Sequence, residues 1–193
     1  MNISNANVYN LDEAIRASKL PMSYNVDSLN SDITETVKRL GSAERGTAHD
    51  NFLHGILVSF DLTCSNKMWI EFQRYHFADI VSGQSTMHRL IKILDNEHVF
   101  NEYVSPSIIH SVKQLAWQYN NDPTPENYLH LLYSIPSGIE MTNHIVTNYG
   151  QLKTMWHQRH NHRLPEWREF CTWMLELPQF CELTGIRREN NGI

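Results

Sequence analysis

The stretch Ile56-Leu57-Val58-Ser59-Phe60-Asp61-Leu62-Thr63 sets Ile56, Val58, Phe60 and Leu62 against Leu57, Ser59, Asp61 and Thr63. A period of two over eight residues is the mark of a strand with one buried face. Residues 66–76 follow directly and place Met68, Trp69, Phe72 and Tyr75 at helical spacing, so a strand feeds a helix. Working outward, residues 10–20 and 31–40 read as two short helices, the second stopped by Gly41. Residues 77–87 lose all periodicity, and Ser82-Gly83-Gln84-Ser85-Thr86 within them reads as an ordered polar loop. Ser105-Pro106 opens a helix with Ile108, Val112, Leu115 and Tyr119 on one face, and Asn120-Asn121-Asp122-Pro123 closes it. Thr124 then caps, and Pro125 starts, a further helix that runs to Tyr133. A long helix is expected over residues 137–156, and Leu164, Trp167, Phe170, Cys171 and Met174 mark a last amphipathic helix between Pro165 and Pro178. The tail from Arg187 reads as frayed. The sum is an α+β chain with a small antiparallel sheet flanked by long helices, read as a single domain over residues 1–193.

Composition narrows the function classes. Hydrophobic residues at 41% and charged residues at 19% suit a packed core and are too apolar for a disordered chain. The net charge of -5 lacks the basic stripe that a phosphate backbone demands, so duplex nucleic acid is not an expected partner. The start of the chain is polar and no run approaches the roughly 20 apolar residues of a membrane span, so the expected location is the cytoplasm. Cys64, Cys171 and Cys181 are odd in number without C-x-x-C spacing and read as reduced core thiols. Trp117, Trp156, Trp167 and Trp173 stand among aliphatic neighbours at helical spacing and read as core.

The chemistry concentrates in one segment. Glu71, Gln73, Arg74, His76, Ser82, Gln84, Ser85, His88 and Arg89 surround the polar loop, an unusual density of hydrogen-bonding groups. An arginine fork suits phosphate or a pyrimidine carbonyl, and hydroxyl and backbone donors of a Gly/Ser turn cradle anionic oxygens. The competing reading is a solvated loop with a helix cap. A second cluster, His157-Gln158-Arg159-His160-Asn161-His162-Arg163, holds no Cys or Asp and carries arginines that repel a cation. It reads as an anion-facing helix end, and no metal site is assigned. No G-x-S-x-G elbow of a serine hydrolase occurs.

Three separated stretches between about Thr47 and Trp167, in the right order, resemble the flavin-dependent thymidylate synthase family. That family has a His, a short gap and Glu-His before an apolar strand; here His49-Asp50-Asn51-Phe52-Leu53-His54 precedes the strand, with Leu53 at the Glu position. Its Arg-His-Arg motif, followed by a loop Ser and a third Arg, is matched by Gln73-Arg74-Tyr75-His76 and Gln84-Ser85-Thr86-Met87, with the spacing one residue longer. Its third stretch is matched by Ile135-Pro136, Asn148, Leu152, Arg159 and Glu166-Trp167-Arg168. A family arginine four residues before the proline falls at Leu132, and the one two residues after the loop serine falls at Met87, leaving Arg89 nearby. The chain is similar more closely to phage and prophage proteins with a Trp-x-Glu-Phe helix, a Ser-Thr-Met-His loop and an Asn-Tyr-x-x-Leu helix, which are residues 69–72, 85–88 and 148–152 here.

The resemblance implies dUMP methylation with FAD and methylenetetrahydrofolate, NADPH serving as reductant. It assigns FAD to His49, His54, Arg74, His76 and Asn148, and dUMP to Gln84, Ser85, Arg89 and Arg159, with Ser85 also at the reacting centre. It further implies a homotetramer, because family pockets are assembled from neighbouring subunits, and a host cytoplasm if the chain is phage-encoded. Two alternatives stay open: an inactive homologue that binds or sequesters a nucleotide, and a scaffold or inhibitory protein. For Arg159 the alternative is a surface ion pair with Glu166 or Glu169.

Overall fold

The computed structural model describes residues 1–44 and 46–187. Four strands, β1 (Asn2–Tyr9), β2 (Leu57–Ser65), β3 (Asp79–Gly83) and β4 (Glu140–Asn148), form one antiparallel sheet in the order β1-β2-β4-β3. The helices are α1 (Leu11–Ala17), α2 (Glu35–Gly41), α3 (Asn66–Phe72), α4 (Thr86–Leu94), α5 (Pro106–Asn121), α6 (Pro125–Tyr133), α7 (Tyr149–Arg159), α8 (Pro165–Met174) and α9 (Phe180–Thr184). The expected α+β class with a small antiparallel sheet is therefore what the chain adopts. Among the described residues no helix is long and apolar enough to cross a membrane.

The chain divides into two compact units, each built from separated segments. The first comprises Met1–Ser4, Asp61–Arg74 and Ile80–His144. In it Ser65 caps α3 by accepting from the Met68 N–H at 3.2 Å, and the Trp69 indole N–H donates to the Met141 carbonyl at 3.1 Å, which fixes α3 to β4. Thr124 caps α6 by accepting from the Asn127 N–H at 3.2 Å, with Pro125 at the first helical position as its sequence predicts. Packing of α5 against α6 completes this layer.

The second unit comprises Asn5–Phe60, Tyr75–Asp79 and the described part of Ile145–Ile193. Its core is the buried set Ile15, Leu53, Phe60, Tyr149, Trp167, Phe170 and Phe180. Phe60 meets Phe170 at 5.7 Å and Trp173 at 4.8 Å between ring centroids, so the alternating face of β2 and the stripe of α8 interlock as their patterns require. Cys64 and Cys171 are buried and Cys181 is half-buried, and none of the three is in a disulfide.

Several expectations are corrected. Residues 137–156 are not one helix: β4 occupies Glu140–Asn148 and α7 begins at Tyr149. Ile139, Met141, Ile145 and Thr147 are buried at even spacing, and the β-branched Thr142, Val146 and Thr147 favour a strand hydrogen-bonded on both sides, between β2 and β3. Residues 77–87 are not loop throughout, because Asp79–Gly83 pairs as the edge strand β3 and Thr86 opens α4. All five β3 residues are exposed, so no alternation betrays the strand. Gly41 does not end α2 through a left-handed turn; a Cβ there would stand 2.0 Å from the Leu183 carbonyl oxygen, so close approach is what requires glycine. Trp117 is 67% exposed on α5 rather than core. The tail expectation falls almost wholly on residues 188–193, outside the described residues.

Candidate functional site

In the first unit a cleft of about 430 Å³ lies along α4, lined by Gln84, Ser85, Arg89, Lys92, Glu140 and Thr142 among others. Its shape follows from local hydrogen bonding. The Gln84 N–H donates to the Thr142 carbonyl at 3.0 Å, and the Gln84 side-chain oxygen accepts from the Thr142 N–H at 2.9 Å, which prolongs the β3–β4 pairing by one residue. The chain then turns at Ser85, whose carbonyl accepts from the Arg89 N–H at 3.0 Å to begin α4. Ser85 occupies the N-cap position, yet its hydroxyl makes no capping bond and is left for another partner. Arg89 and Lys92, one turn apart, are both exposed and form no ion pair among the described residues. Two cations and the positive end of a helix thus face a single carboxylate, Glu140, which accepts from the Asn101 amide at 3.2 Å. In a chain of net charge -5 this is a local positive site with hydroxyl and amide groups beside it.

The sheet supplies a second polar group in the same unit. Thr63 and Thr142 face each other across β2 and β4 with hydroxyls 2.7 Å apart, and in the same register Asp61 faces His144 at 2.6 Å. Two positions along a strand return to the same face, so the His144–Asp61 pair sits about 7 Å along the strands from the cleft wall at Thr142. A second cavity of about 280 Å³ is lined by Trp69, Gln73, Gln84, Leu132 and Met141, and Gln84 is common to both. Tyr128 donates its hydroxyl to the Thr86 carbonyl at 2.5 Å; burial, with Tyr119 nearby, raises its pKa above the ordinary phenol value.

In the second unit Arg159 donates through Nε to the Tyr75 hydroxyl at 2.8 Å and lies 5.0 Å from the Trp167 ring centre. Tyr75 in turn donates to the Gln158 side-chain oxygen at 2.9 Å. Asn148 caps α7 by accepting from the Gln151 N–H at 2.9 Å. His54 packs on Gly150, where a Cβ would stand 2.9 Å from the ring, and meets Phe77 edge-on at 6.0 Å. His49 and His76 are exposed, as is Arg74 in the first unit. Lys153 is buried, and its ammonium donates to the equally buried Asp50 at 3.0 Å and to the carbonyls of Gly41 at 2.8 Å and Ala43 at 2.6 Å.

No protein-family model matches the chain, and no curated protein is similar to it. Solved structures are similar. A crystal structure of flavin-dependent thymidylate synthase ThyX from Helicobacter pylori, complexed with FAD and dUMP, superposes with a TM-score of 0.75 at 15% identity, over 95% of this chain and 97% of that one. A second ThyX structure from Helicobacter pylori with FAD and dUMP has the same TM-score and identity over 95% of this chain and 96% of that one. The chain has the flavin-dependent thymidylate synthase fold. The likeness in sequence pattern is thus matched by a likeness in backbone over almost the whole of both chains.

Within this thymidylate synthase fold, Gln84, Ser85 and Arg89 are brought together on one cleft. Asn148 and His54 are engaged by the fold, one as a helix cap and one as a packed ring. The stretch 157–163 ends α7 as anticipated: His160 stacks on Trp156 at 4.3 Å and His162 accepts from the Leu164 N–H at 3.2 Å. Sequence reading missed Lys92, the Asp61–His144 pair and the Lys153–Asp50 pair. Lys92 was within reach, since it follows Ser85 and Arg89 on one helix face. The two pairs join residues 83 and 103 positions apart, and no local pattern announces them.

Proposed function

We propose that the α4 cleft binds an anionic pyrimidine nucleotide such as dUMP, and that the protein works as a thymidylate synthase-like nucleotide-binding protein. The observation that carries this reading is the cleft itself: an uncapped serine hydroxyl, a glutamine amide and two cations without ion-pair partners among the described residues, on one wall of about 430 Å³. Its dimensions fall in the usual range for small-ligand sites, about 300–1,000 Å³. Arg89 and Lys92 would take the phosphate, and Ser85 and Gln84 the polar edge of the base. The Helicobacter pylori enzymes of the same fold carry FAD and dUMP, which supports the ligand class.

The catalytic form of this reading adds FAD, for which the resemblance assigns His49, His54, Arg74, His76 and Asn148. A flavin would supply the hydride chemistry, and the chain's own residues would bind and orient. The donor set fits FAD only in part, because Asn148 and His54 are already used by the fold. Nucleotide binding without catalysis is the second reading, favoured by two buried or cavity-lining leucines, Leu53 and Leu132, at positions where the resembled family has Glu and Arg. A homotetramer accompanies either form, supported by exposed Ile80, Val81 and Tyr133. NADPH and methylenetetrahydrofolate belong to the catalytic form alone.

Calorimetry with dUMP and dTMP tests the proposal. Arg89→Ala removes a charge-assisted contact of about 1.5–3 kcal/mol, so binding should weaken tenfold or more, and Ser85→Ala should weaken it less. Arg159→Ala is run beside them: a matching loss assigns Arg159 to the nucleotide, and unchanged binding leaves it to Tyr75 and Trp167. A wild-type protein that binds neither nucleotide overturns the reading, and flavin absorbance of the purified protein separates its two forms.

A further inference from the structure

A larger cleft, about 570 Å³, also borders α4, and the nucleotide reading does not use it. One wall is Met87, His88, Arg89 and Lys92 of α4; the other is Tyr119 at the end of α5 and Tyr128 on α6. The two tyrosine rings lie 5.1 Å apart and tilted by 58°. Tyr128 is pinned, since its hydroxyl donates to the Thr86 carbonyl at the first turn of α4. The Asn127 amide donates to the Asp122 carbonyl at 2.8 Å and closes the α5–α6 turn through Pro123 and Thr124, which holds the Tyr119 and Tyr128 segments together.

We propose that this cleft is a second ligand site, for a flat aromatic ring that bears an anionic group. Tilted tyrosine faces and the exposed, adaptable thioether of Met87 suit a planar ring. Arg89 and Lys92 supply positive charge one helical turn apart, with the His88 ring beside them, and neither cation forms an ion pair among the described residues. The tyrosines stand on one wall and the cations, with Met87, on the other, so one molecule must carry both a ring and an anion to satisfy them. Arg89 and Lys92 line both clefts, which makes α4 a shared cationic ridge between two anions. Occupation of one site therefore lowers the affinity of the other, and the coupling is reciprocal. The inference stands independently of what the first cleft binds.

The test is methyl NMR of methionine-labelled protein, with the Met87 resonance assigned by Met87→Leu among the seven methionines of the chain. The probes are AMP for a phosphate, 2-naphthoate for a carboxylate, and adenosine and inorganic phosphate as the separate halves. The expected result is a saturable Met87 shift with at least one of AMP and naphthoate, tenfold tighter than with either half, and the stronger of the two names the source of the anion. Tyr119→Ala should abolish that shift while leaving dUMP calorimetry at the first cleft as in wild type. Tyr128→Phe, which keeps the ring and drops the tether, should weaken the shift less than Tyr119→Ala. A Met87 resonance unmoved by all four probes at millimolar concentration overturns the proposal, as does a shift that persists unchanged in Tyr119→Ala. A Met87 shift in a protein that binds no dUMP keeps this inference and removes the previous one.

Discussion

Replacing Lys153 by Met probes a buried ion pair of the second unit. The Lys153 side chain is 3% exposed and that of Asp50 is 1% exposed. An ammonium has three donors, and here all three are used, on Asp50 and on the carbonyls of Gly41 and Ala43. Methionine matches the length and apolar stem but supplies no donor, so Asp50 loses its ion pair with Lys153 and the carbonyls of Gly41 and Ala43 each lose a donor. Breaking a buried pair on one side costs about 3–5 kcal/mol, a large part of the roughly 5–15 kcal/mol by which a domain is stable. With a urea slope of about 2 kcal/mol per molar, the unfolding midpoint followed by circular dichroism should fall by about 1.5–2.5 M. Adding Asp50→Asn to Lys153→Met removes the buried carboxylate charge as well and should recover part of the loss, giving a coupling of about 1 kcal/mol or more. A single variant that loses under about 1 kcal/mol, or a double variant equal to the sum of the singles, would refute the claim that this pair ties the end of α2 to the segment carrying His54.

Two further outcomes are expected. Gly41→Ala should destabilise the protein by about 1–3 kcal/mol in the same urea assay although alanine is the better helix former by about 1 kcal/mol, because the new Cβ meets the Leu183 backbone carbonyl at 2.0 Å; an equally stable variant would show that α2 and α9 are not so close. In the native protein Cys181 should be alkylated by iodoacetamide first, while Cys171, whose thiol pKa burial pushes up to about 12, and buried Cys64 react only on unfolding; mass mapping that finds Cys171 labelled in the folded state contradicts its burial.

What could be read without a structure was local. The alternation from Ile56 to Thr63 marks β2, Thr124-Pro125 marks the start of α6, and the stripe of Trp167, Phe170, Cys171 and Met174 marks α8, because one-sided burial imprints its own period on consecutive residues. Gln84, Ser85 and Arg89 were legible for the same reason: they lie within six positions, on one turn and one helix face. Residues 140–148 carry apolar groups that satisfy a helical and a strand period alike, and only pairing on both sides of β4 decides between them. β3 is exposed on both faces and owes its existence to hydrogen bonds with β4, so its residues hold no pattern to read. The Asp61–His144 pair depends on the register of β2 against β4, and the Lys153 ammonium depends on three acceptors more than a hundred positions away. Such partners are selected by the way the chain closes on itself, through contacts that cost no local periodicity and leave none, and so the tertiary structure alone brought them together.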